Sequence, residues 1–134
     1  MSKTKIYKEV GKDGVIRYKE VGKDGVIRYF DEKGRLHRDD GPAFIGTSGL
    51  KEWYRKGKLH RDDGPAIEWG TTGAEWYRNG KLHRTDGPAI ELADGTKKWF
   101  KNGRRHRTDG PAVEMADGTK EWCINGFLIK VENS

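Results

Sequence analysis

Four histidines recur at a constant interval of 23 residues, and each opens the same phrase, His-Arg-(Asp/Thr)-Asp-Gly-Pro-Ala: His37, His60, His83 and His106. Histidine together with aspartate is a metal-ligand combination, but one zinc ion needs ligand atoms ~2.0–2.1 Å from a shared centre. If each unit adds two strands at ~4.8 Å, successive histidines lie ~10 Å apart in a row. A row does not enclose an ion, and one histidine with one aspartate is a weak site, so we expect no metal and no cofactor.

The alternative role for these histidines is structural. Each imidazole could bond the carboxylate of its own phrase or a backbone carbonyl, and thereby fix the long connection. Each phrase also has an aspartate directly before Gly-Pro, where an Asx-type turn satisfies backbone donors. We therefore predict structural turn roles for the four histidines and for Asp40, Asp63, Asp86 and Asp109.

An arginine follows each histidine, and two interpretations of these arginines stay open. They are Arg38, Arg61, Arg84 and Arg107. They could pair with the aspartates of the phrase across the turn. They could instead form a basic stripe with the residues that follow each turn glycine, which are Arg35, Lys58, Lys81 and Arg104. Such a stripe could meet the phosphates of a nucleic acid or of lipid headgroups, although the alternating aspartates limit it.

Catalytic motifs are missing from the sequence. It contains no Gly-rich phosphate loop, no nucleophile elbow and no His-Glu-x-x-His. The single cysteine, Cys123, occupies the slot that Tyr54, Tyr77 and Phe100 hold in the other units, which indicates a packed small hydrophobe. Active sites need unlike residues at one place, whereas this chain presents like residues at intervals. We therefore predict that the protein is not an enzyme and has no catalytic residues.

The elements that must position these residues are predicted to be β-strands. In one unit, residues 89–92 and 97–101 read as strands around an Asp-Gly turn, and Asn102-Gly103 is a strong tight-turn signal. Upstream, residues 8–18 and 19–29 repeat the segment KEVGKDGVIRY, which predicts a three-stranded meander. Glycine or proline interrupts the chain every ten residues or so, so helix is not expected.

A fixed period marks a stack of units that are each too small to bury an apolar face alone. We predict a single domain over residues 1–134, with an N-terminal β-meander cap at 1–33, four repeats at 34–125 and a C-terminal cap at 126–134. The expected fold is all-β, an elongated antiparallel sheet or solenoid of tandem 23-residue β-hairpin repeats, capped at both ends. A tryptophan row is expected inside, and the row of Tyr54, Tyr77, Phe100 and Cys123 on the opposite face. The tryptophans are Trp53, Trp76, Trp99 and Trp122.

The net charge of +6 is spread unevenly along the 134 residues. Residues 1–34 carry +3, so the hundred residues that follow carry only +3. Positive and negative charges are thus nearly balanced over the repeat array. Because the net charge is positive, the protein is not an acidic mimic of nucleic acid. No apolar run is long enough to span a bilayer and no signal peptide begins the chain, so we expect a cytoplasmic protein without a transmembrane segment.

The repeated phrase resembles the MORN-type repeat, a β-hairpin of the same length. Trp76, Gly80 and His83 match the tryptophan, glycine and histidine of that family's phrase if one residue is inserted after Trp76, and the neighbouring units match in the same way. Residues 93–95 and 116–118, both Ala-Asp-Gly, match its later turn. Where the family continues His-Gly-x-Gly, this chain has the His-Arg phrase, a variant similar to repeat proteins of phages and bacteria. The resemblance implies a scaffold, dimerisation module or membrane-proximal adaptor rather than a catalyst.

The sequence therefore favours a non-enzymatic interaction module that binds a macromolecular partner, with protein preferred. The residues expected to bind belong to the exposed aromatic row, the phrase arginines and the basic stripe, because tyrosine and arginine often dominate interfaces. They are Tyr54, Tyr77, Phe100, Arg38, Arg61, Arg84, Arg107, Lys58, Lys81 and Arg104. One alternative is a binder of nucleic acid or anionic lipid through the stripe. Another is a structural homo-oligomer joined through edge strands. The small size and the duplication also resemble compact phage-type inhibitors of host factors.

Overall fold

The computed structural model describes residues 4–134, and all the regular structure in that range is β-strand. The all-β prediction is confirmed. The chain begins with a meander of β1 (Lys5–Val10), β2 (Ile16–Val21) and β3 (Ile27–Asp31), paired antiparallel in the order predicted from the duplicated segment. Over the described residues, the structure contains no helix that could cross a membrane.

The strands that follow come in three groups of four short strands and a last group of three that ends in two longer strands. In chain order they are β4 (Phe44–Ile45), β5 (Leu50–Glu52), β6 (Tyr54–Arg55), β7 (Lys58–Leu59), β8 (Ile67–Trp69), β9 (Gly73–Glu75), β10 (Tyr77–Arg78), β11 (Lys81–Leu82), β12 (Ile90–Leu92), β13 (Lys97–Lys98), β14 (Phe100–Lys101), β15 (Arg104–Arg105), β16 (Val113–Glu114), β17 (Lys120–Ile124) and β18 (Phe127–Glu132).

Twelve of the strands form one open antiparallel sheet in the order β1-β2-β3-β4-β5-β8-β9-β12-β13-β16-β17-β18. Each repeat contributes two strands to this sheet, so the array grows sideways by two strand spacings per repeat, or ~10 Å. The sequence left open whether the repeats form an elongated sheet or a solenoid, and the structure contains the open sheet.

Three separate hairpins, β6-β7, β10-β11 and β14-β15, lie beside the sheet. Their turns are Lys56-Gly57, Asn79-Gly80 and Asn102-Gly103, and both turn residues have positive φ in every case (49–50° and 81–83°). Positive φ at both central residues defines the type I′ turn, whose twist matches that of the flanking strands. Asn125-Gly126 repeats the same conformation between β17 and β18.

The predicted second strand of the repeat, residues 97–101, is two strands instead of one, because the chain changes sheets at the tryptophan. The amide of Trp53 donates to the carbonyl of Ala66 (2.7 Å), whereas the carbonyl of Trp53 accepts from the amide of His60 (3.0 Å). One residue thus bonds into the large sheet on one side and into a small hairpin on the other. The segment after the tight turn, which we expected to be a connection only, begins with the returning hairpin strand.

The interior column of the array consists of alanines, not of tryptophans as predicted. Ala43, Ala66, Ala89 and Ala112 are fully buried, as is Cys123, whereas the four repeat tryptophans are half-buried. Each alanine bonds to two neighbouring segments at once; for Ala66 these are Trp53 and Glu75. Such a close approach of backbones leaves room for a methyl group and excludes an indole. The prediction for Cys123 as a packed small residue is confirmed.

Both ends of the sheet present long edge strands. All six residues of β1 and all six of β18 are exposed, and their large apolar side chains include Ile6 (69% exposed), Phe127 (74%) and Ile129 (64%). The C-terminal segment therefore pairs with β17 as the expected cap would, but its apolar side chains face solvent.

Candidate functional site

Each histidine of the repeated phrase holds the turn of the next repeat. Its Nδ1 accepts a hydrogen bond from the backbone amide of a turn residue 19 positions later along the chain. The four bonds run from Lys56 to His37 (2.8 Å), from Asn79 to His60 (2.9 Å), from Asn102 to His83 (3.0 Å) and from Asn125 to His106 (3.0 Å). We predicted a bond from each imidazole to the carboxylate of its phrase or to a backbone carbonyl, whereas Nδ1 accepts from an amide of the neighbouring repeat.

A ring nitrogen that accepts a hydrogen bond carries no proton, so the nitrogen left as a donor in each ring is Nε2. In the first two phrases Nε2 donates to a carboxylate, from His37 to Asp39 (2.9 Å) and from His60 to Asp62 (2.8 Å). In the last two phrases threonine replaces that aspartate. The pKa of His83 is lowered by burial and, to a smaller extent, by the positive charges of Arg78 and Lys101.

Each phrase arginine lies over an aromatic ring, which is Tyr29 for Arg38 and the repeat tryptophan for the other three. The guanidinium carbon of Arg61 lies 3.8 Å from the ring centroid of Trp53, its Nε donates to Asp63 (3.1 Å), and its Nη1 donates to the carbonyl of Pro65 (3.1 Å). The other three repeat this arrangement: Arg38 on Tyr29 (4.0 Å), Arg84 on Trp76 (3.9 Å) and Arg107 on Trp99 (3.9 Å). Of the two interpretations of the sequence, pairing with the aspartates is the one that the structure contains.

The aspartates before Gly-Pro hold these arginines in place by accepting hydrogen bonds from them. Asp40, Asp63, Asp86 and Asp109 each accept from the Nε of the arginine two residues earlier, at 2.9–3.1 Å. The bond from Arg84 lowers the pKa of Asp86. The predicted Asx-type bond to a backbone amide occurs elsewhere, for example from the amide of Thr96 to Asp94. The side chains of the four aspartates are 82–86% exposed, so they form the outer rim of the phrase.

The predicted aromatic row, Tyr54, Tyr77 and Phe100, is half-buried and lines the same surface clefts as the tryptophans, so the prediction of an opposite, exposed face was wrong. The hydroxyl of Tyr54 donates to Glu52 (2.6 Å), and that of Tyr77 donates to Glu75 (3.0 Å). Burial, together with the glutamate charge, raises the pKa of Tyr77 to about 12 and shifts that of Tyr54 in the same direction.

Successive phrases enclose a row of clefts along one face of the molecule. Each cleft has an aromatic floor, and adjoining clefts share a wall. Three of them lie between two phrase segments, whereas the fourth lies between the first phrase and the meander residues Glu9 and Arg17. Their volumes are about 820 Å³ over Trp99 and Phe100, 570 Å³ over Trp53 and Tyr54, 410 Å³ over Trp76 and Tyr77, and 380 Å³ over Tyr18 and Tyr29. The row places the predicted aromatic, arginine and aspartate residues together on one surface.

The hairpins carry a second group of residues, which sequence reasoning found only in part. The turn of each of the three separate hairpins is flanked by two cations that face each other in register: Arg55 and Lys58, Arg78 and Lys81, Lys101 and Arg104. We refer to these six residues as the hairpin cations. The predicted stripe contained only the member after each glycine. The other member of each pair is the residue directly before the Lys-Gly or Asn-Gly turn. A cation at that position in all three hairpins was the signal in the sequence that could have identified it.

Successive hairpins stack through their turn glycines. The stem of Lys58 packs over Gly80, that of Lys81 over Gly103, and that of Arg104 over Gly126. Arg35 begins the same column over Gly57, with its own charge paired to Asp31 at 2.8 Å. The stacking aligns the hairpin cations along the length of the array.

Within residues 4–134, no group of three histidine, cysteine or carboxylate side chains has the arrangement that could hold a metal ion. Comparisons with protein-family models, with curated proteins and with solved structures found no match for this chain. The MORN resemblance therefore remains an expectation from the sequence.

Proposed function

We propose that the protein is a non-enzymatic interaction module that binds an extended segment of a protein partner in the row of clefts. The observation that carries this proposal is the continuity of the row. Four clefts with aromatic floors follow one another and share walls, so a partner chain could run across several repeats without leaving the surface.

The spacing of the clefts suits an extended chain. Successive repeats are ~10 Å apart, and an extended strand advances ~3.3 Å per residue. A partner segment would therefore reach a new cleft with every third residue. The exposed aspartates on the cleft walls favour lysine or arginine on that segment, because complementary charge directs association.

The chemistry of the phrase supports binding rather than catalysis. Each histidine Nδ1 is occupied by a turn amide, each arginine is held by an aromatic ring and an aspartate, and Cys123 is fully buried. The same groups recur in each cleft, as expected for repeated contacts with one long partner. A compact cytoplasmic inhibitor of the kind that phages encode is one form such a module could take.

A pull-down from extract of the native host tests this proposal with a cleft-filling variant. Thr85 and Thr108 are exposed and line the cleft over Trp99 and Phe100, so T85Y/T108Y should fill it without adding charge. T71Y/A116Y is the matched control, because Thr71 and Ala116 are exposed residues outside the clefts. We expect a partner that the wild type and the control retain and that T85Y/T108Y loses. Equal retention by both variants would refute binding in the clefts.

A structural homo-oligomer is a second candidate function, and the exposed edge strands favour it. β1 and β18 end the sheet with unpaired edges and exposed apolar side chains, and such edges are templates for pairing with another copy. Light scattering over a wide range of concentrations tests it, with I129K as the edge variant. A concentration-independent monomer would eliminate this candidate and leave the cleft proposal standing.

A further inference from the structure

The hairpin cations place like charges opposite each other at a structural cost. Directly opposed like charges destabilise a strand pair. The fold itself does not require them, because the fourth turn, with the same backbone conformation, is flanked by the apolar pair Ile124 and Phe127. The turn conformation therefore does not account for the six cations, and their role lies in the surface that they form.

One compensating carboxylate lies beside the first hairpin, whereas none of the residues that the structure describes supplies one to the next two hairpins. Arg55 pairs with Asp62 at 2.8 Å. In the following phrase, threonine replaces that aspartate, and Arg78 lies 3.4 Å from Nε2 of His83 instead. Across the described residues, Arg78, Lys81, Lys101 and Arg104 have no carboxylate oxygen within 4.0 Å. The charges of Arg78 and Lys101 are also felt by His83, whose pKa they help to lower.

The arrangement of these charges is linear. Stacked turn glycines place one cation pair on each repeat, ~10 Å apart by the strand spacing. The column ends at Phe127, which occupies the position after the fourth turn glycine and is 74% exposed. A line of cations that ends in an exposed aromatic ring matches a chain of phosphates that carries bases able to stack on aromatic rings. A lipid surface would be met by a plane of cations, whereas the three cationic turns form a line with no apolar residue at their tips.

We propose that the hairpin column binds single-stranded nucleic acid. Arg78, Lys81, Lys101 and Arg104 contact consecutive phosphates, and Phe127 stacks on a base. The balanced charge of the repeat array in sequence conceals this surface, because the fold gathers its cations on the hairpins and leaves the phrase aspartates on the cleft walls. The column borders the clefts but does not depend on a partner bound there, so the two proposals can fail separately.

Fluorescence anisotropy with a labelled 20-nucleotide oligothymidylate tests this proposal across a range of salt concentrations. For the wild type, the logarithm of the binding constant should fall linearly with the logarithm of the salt concentration, with a slope of about −0.7 for each phosphate contacted. The variant R78Q/K81Q/K101Q/R104Q should reduce the magnitude of that slope by about 3. F127A should weaken binding by about 5-fold or more and leave the slope unchanged, because it removes stacking and no charge.

The matched control removes four exposed lysines that lie on the large sheet, away from the hairpins: K8Q/K51Q/K97Q/K120Q. It should keep the wild-type slope to within one phosphate contact. Equal loss in the two quadruple variants would overturn the proposal, because net charge alone would then account for binding. Wild-type binding to phosphatidylserine vesicles without binding to the oligonucleotide, or binding to neither, would also overturn it. Circular dichroism of each variant ensures that folded proteins are compared.

Discussion

The hydrogen bond between each histidine and the next turn predicts that His60→Ala weakens one junction between repeats. Nδ1 of His60 accepts from the amide of Asn79 at 2.9 Å, and the side chain of His60 is only 6% exposed. Loss of that hydrogen bond should cost about 1 kcal/mol. The lost packing of the nearly buried ring adds about 1 kcal/mol, at the low end for truncation of a buried side chain. The bond to Asp62 adds little, because the side chain of Asp62 is 63% exposed.

The expected loss for His60→Ala is therefore about 2 kcal/mol in the free energy of unfolding, or roughly 6–10 °C in Tm for a chain of this size. His60→Asn is the matched variant, because its Oδ1 lies on the γ carbon, where the imidazole has Nδ1, and can accept the same amide. It should recover about half of the lost free energy. Thermal and urea unfolding followed by circular dichroism measure both variants.

Amide hydrogen exchange then locates the effect. In His60→Ala, the amide of Asn79 should exchange faster, while that of Asn102, which His83 holds, should keep its wild-type rate. If Asn and Ala destabilise the protein equally, or if the Asn79 amide exchanges at the wild-type rate in both variants, the junction is not held by this hydrogen bond.

Three further predictions follow from the phrase and the interior column. His83 must be neutral to accept at Nδ1, and its pKa is lowered in the folded state. Its contribution to the free energy of unfolding should therefore be complete above the unfolded pKa of about 6.5 and fall as the pH drops from there through the folded pKa, by at most about 1.4 kcal/mol per pH unit. Urea unfolding midpoints measured between pH 7.5 and 5.5 should depend less steeply on pH for His83→Asn than for the wild type, and an equal dependence would contradict this. Arg84→Lys keeps the charge but loses the planar stack on Trp76 and the paired donors, so it should cost about 1–2 kcal/mol in urea unfolding; no change would mean that the stack is incidental. Ala66→Val should cost about 1–3 kcal/mol by overpacking a fully buried position, and a stabilised variant would show that the interior column has spare room.

The parts of the fold that could be predicted from sequence are those that local signals determine. Asn-Gly pairs, and those Asp-Gly pairs that no proline follows, form tight turns, and the duplicated segment before residue 30 predicts its three strands correctly. The constant phase of the phrase indicates a stacked array, which the open sheet of twelve strands confirms.

The parts that could not be predicted depend on contacts between repeats. The sequence marks tryptophan as the largest apolar residue of the unit, but the approach of neighbouring segments at Ala66 decides which residue is enclosed. The partner of His60 lies 19 residues away in another turn, and a pattern within one repeat does not identify it. The opposition of Arg78 and Lys81 appears only once the turn is known to be a two-residue type I′ turn.

Because each histidine bonds to a turn 19 residues later, repeats could be added to the array or removed from it without disturbing the remaining histidine bonds. Each such bond joins one repeat to the next and reaches no further, so stability should be a sum of units and nearest-neighbour junctions. Removal of residues 57–79 would join Lys56 to Gly80 and leave the bonds of His37 and His83 with their own turns intact. A gene that loses or duplicates one such block would therefore encode a shorter or longer protein of the same design, with its row of clefts changed by whole repeats.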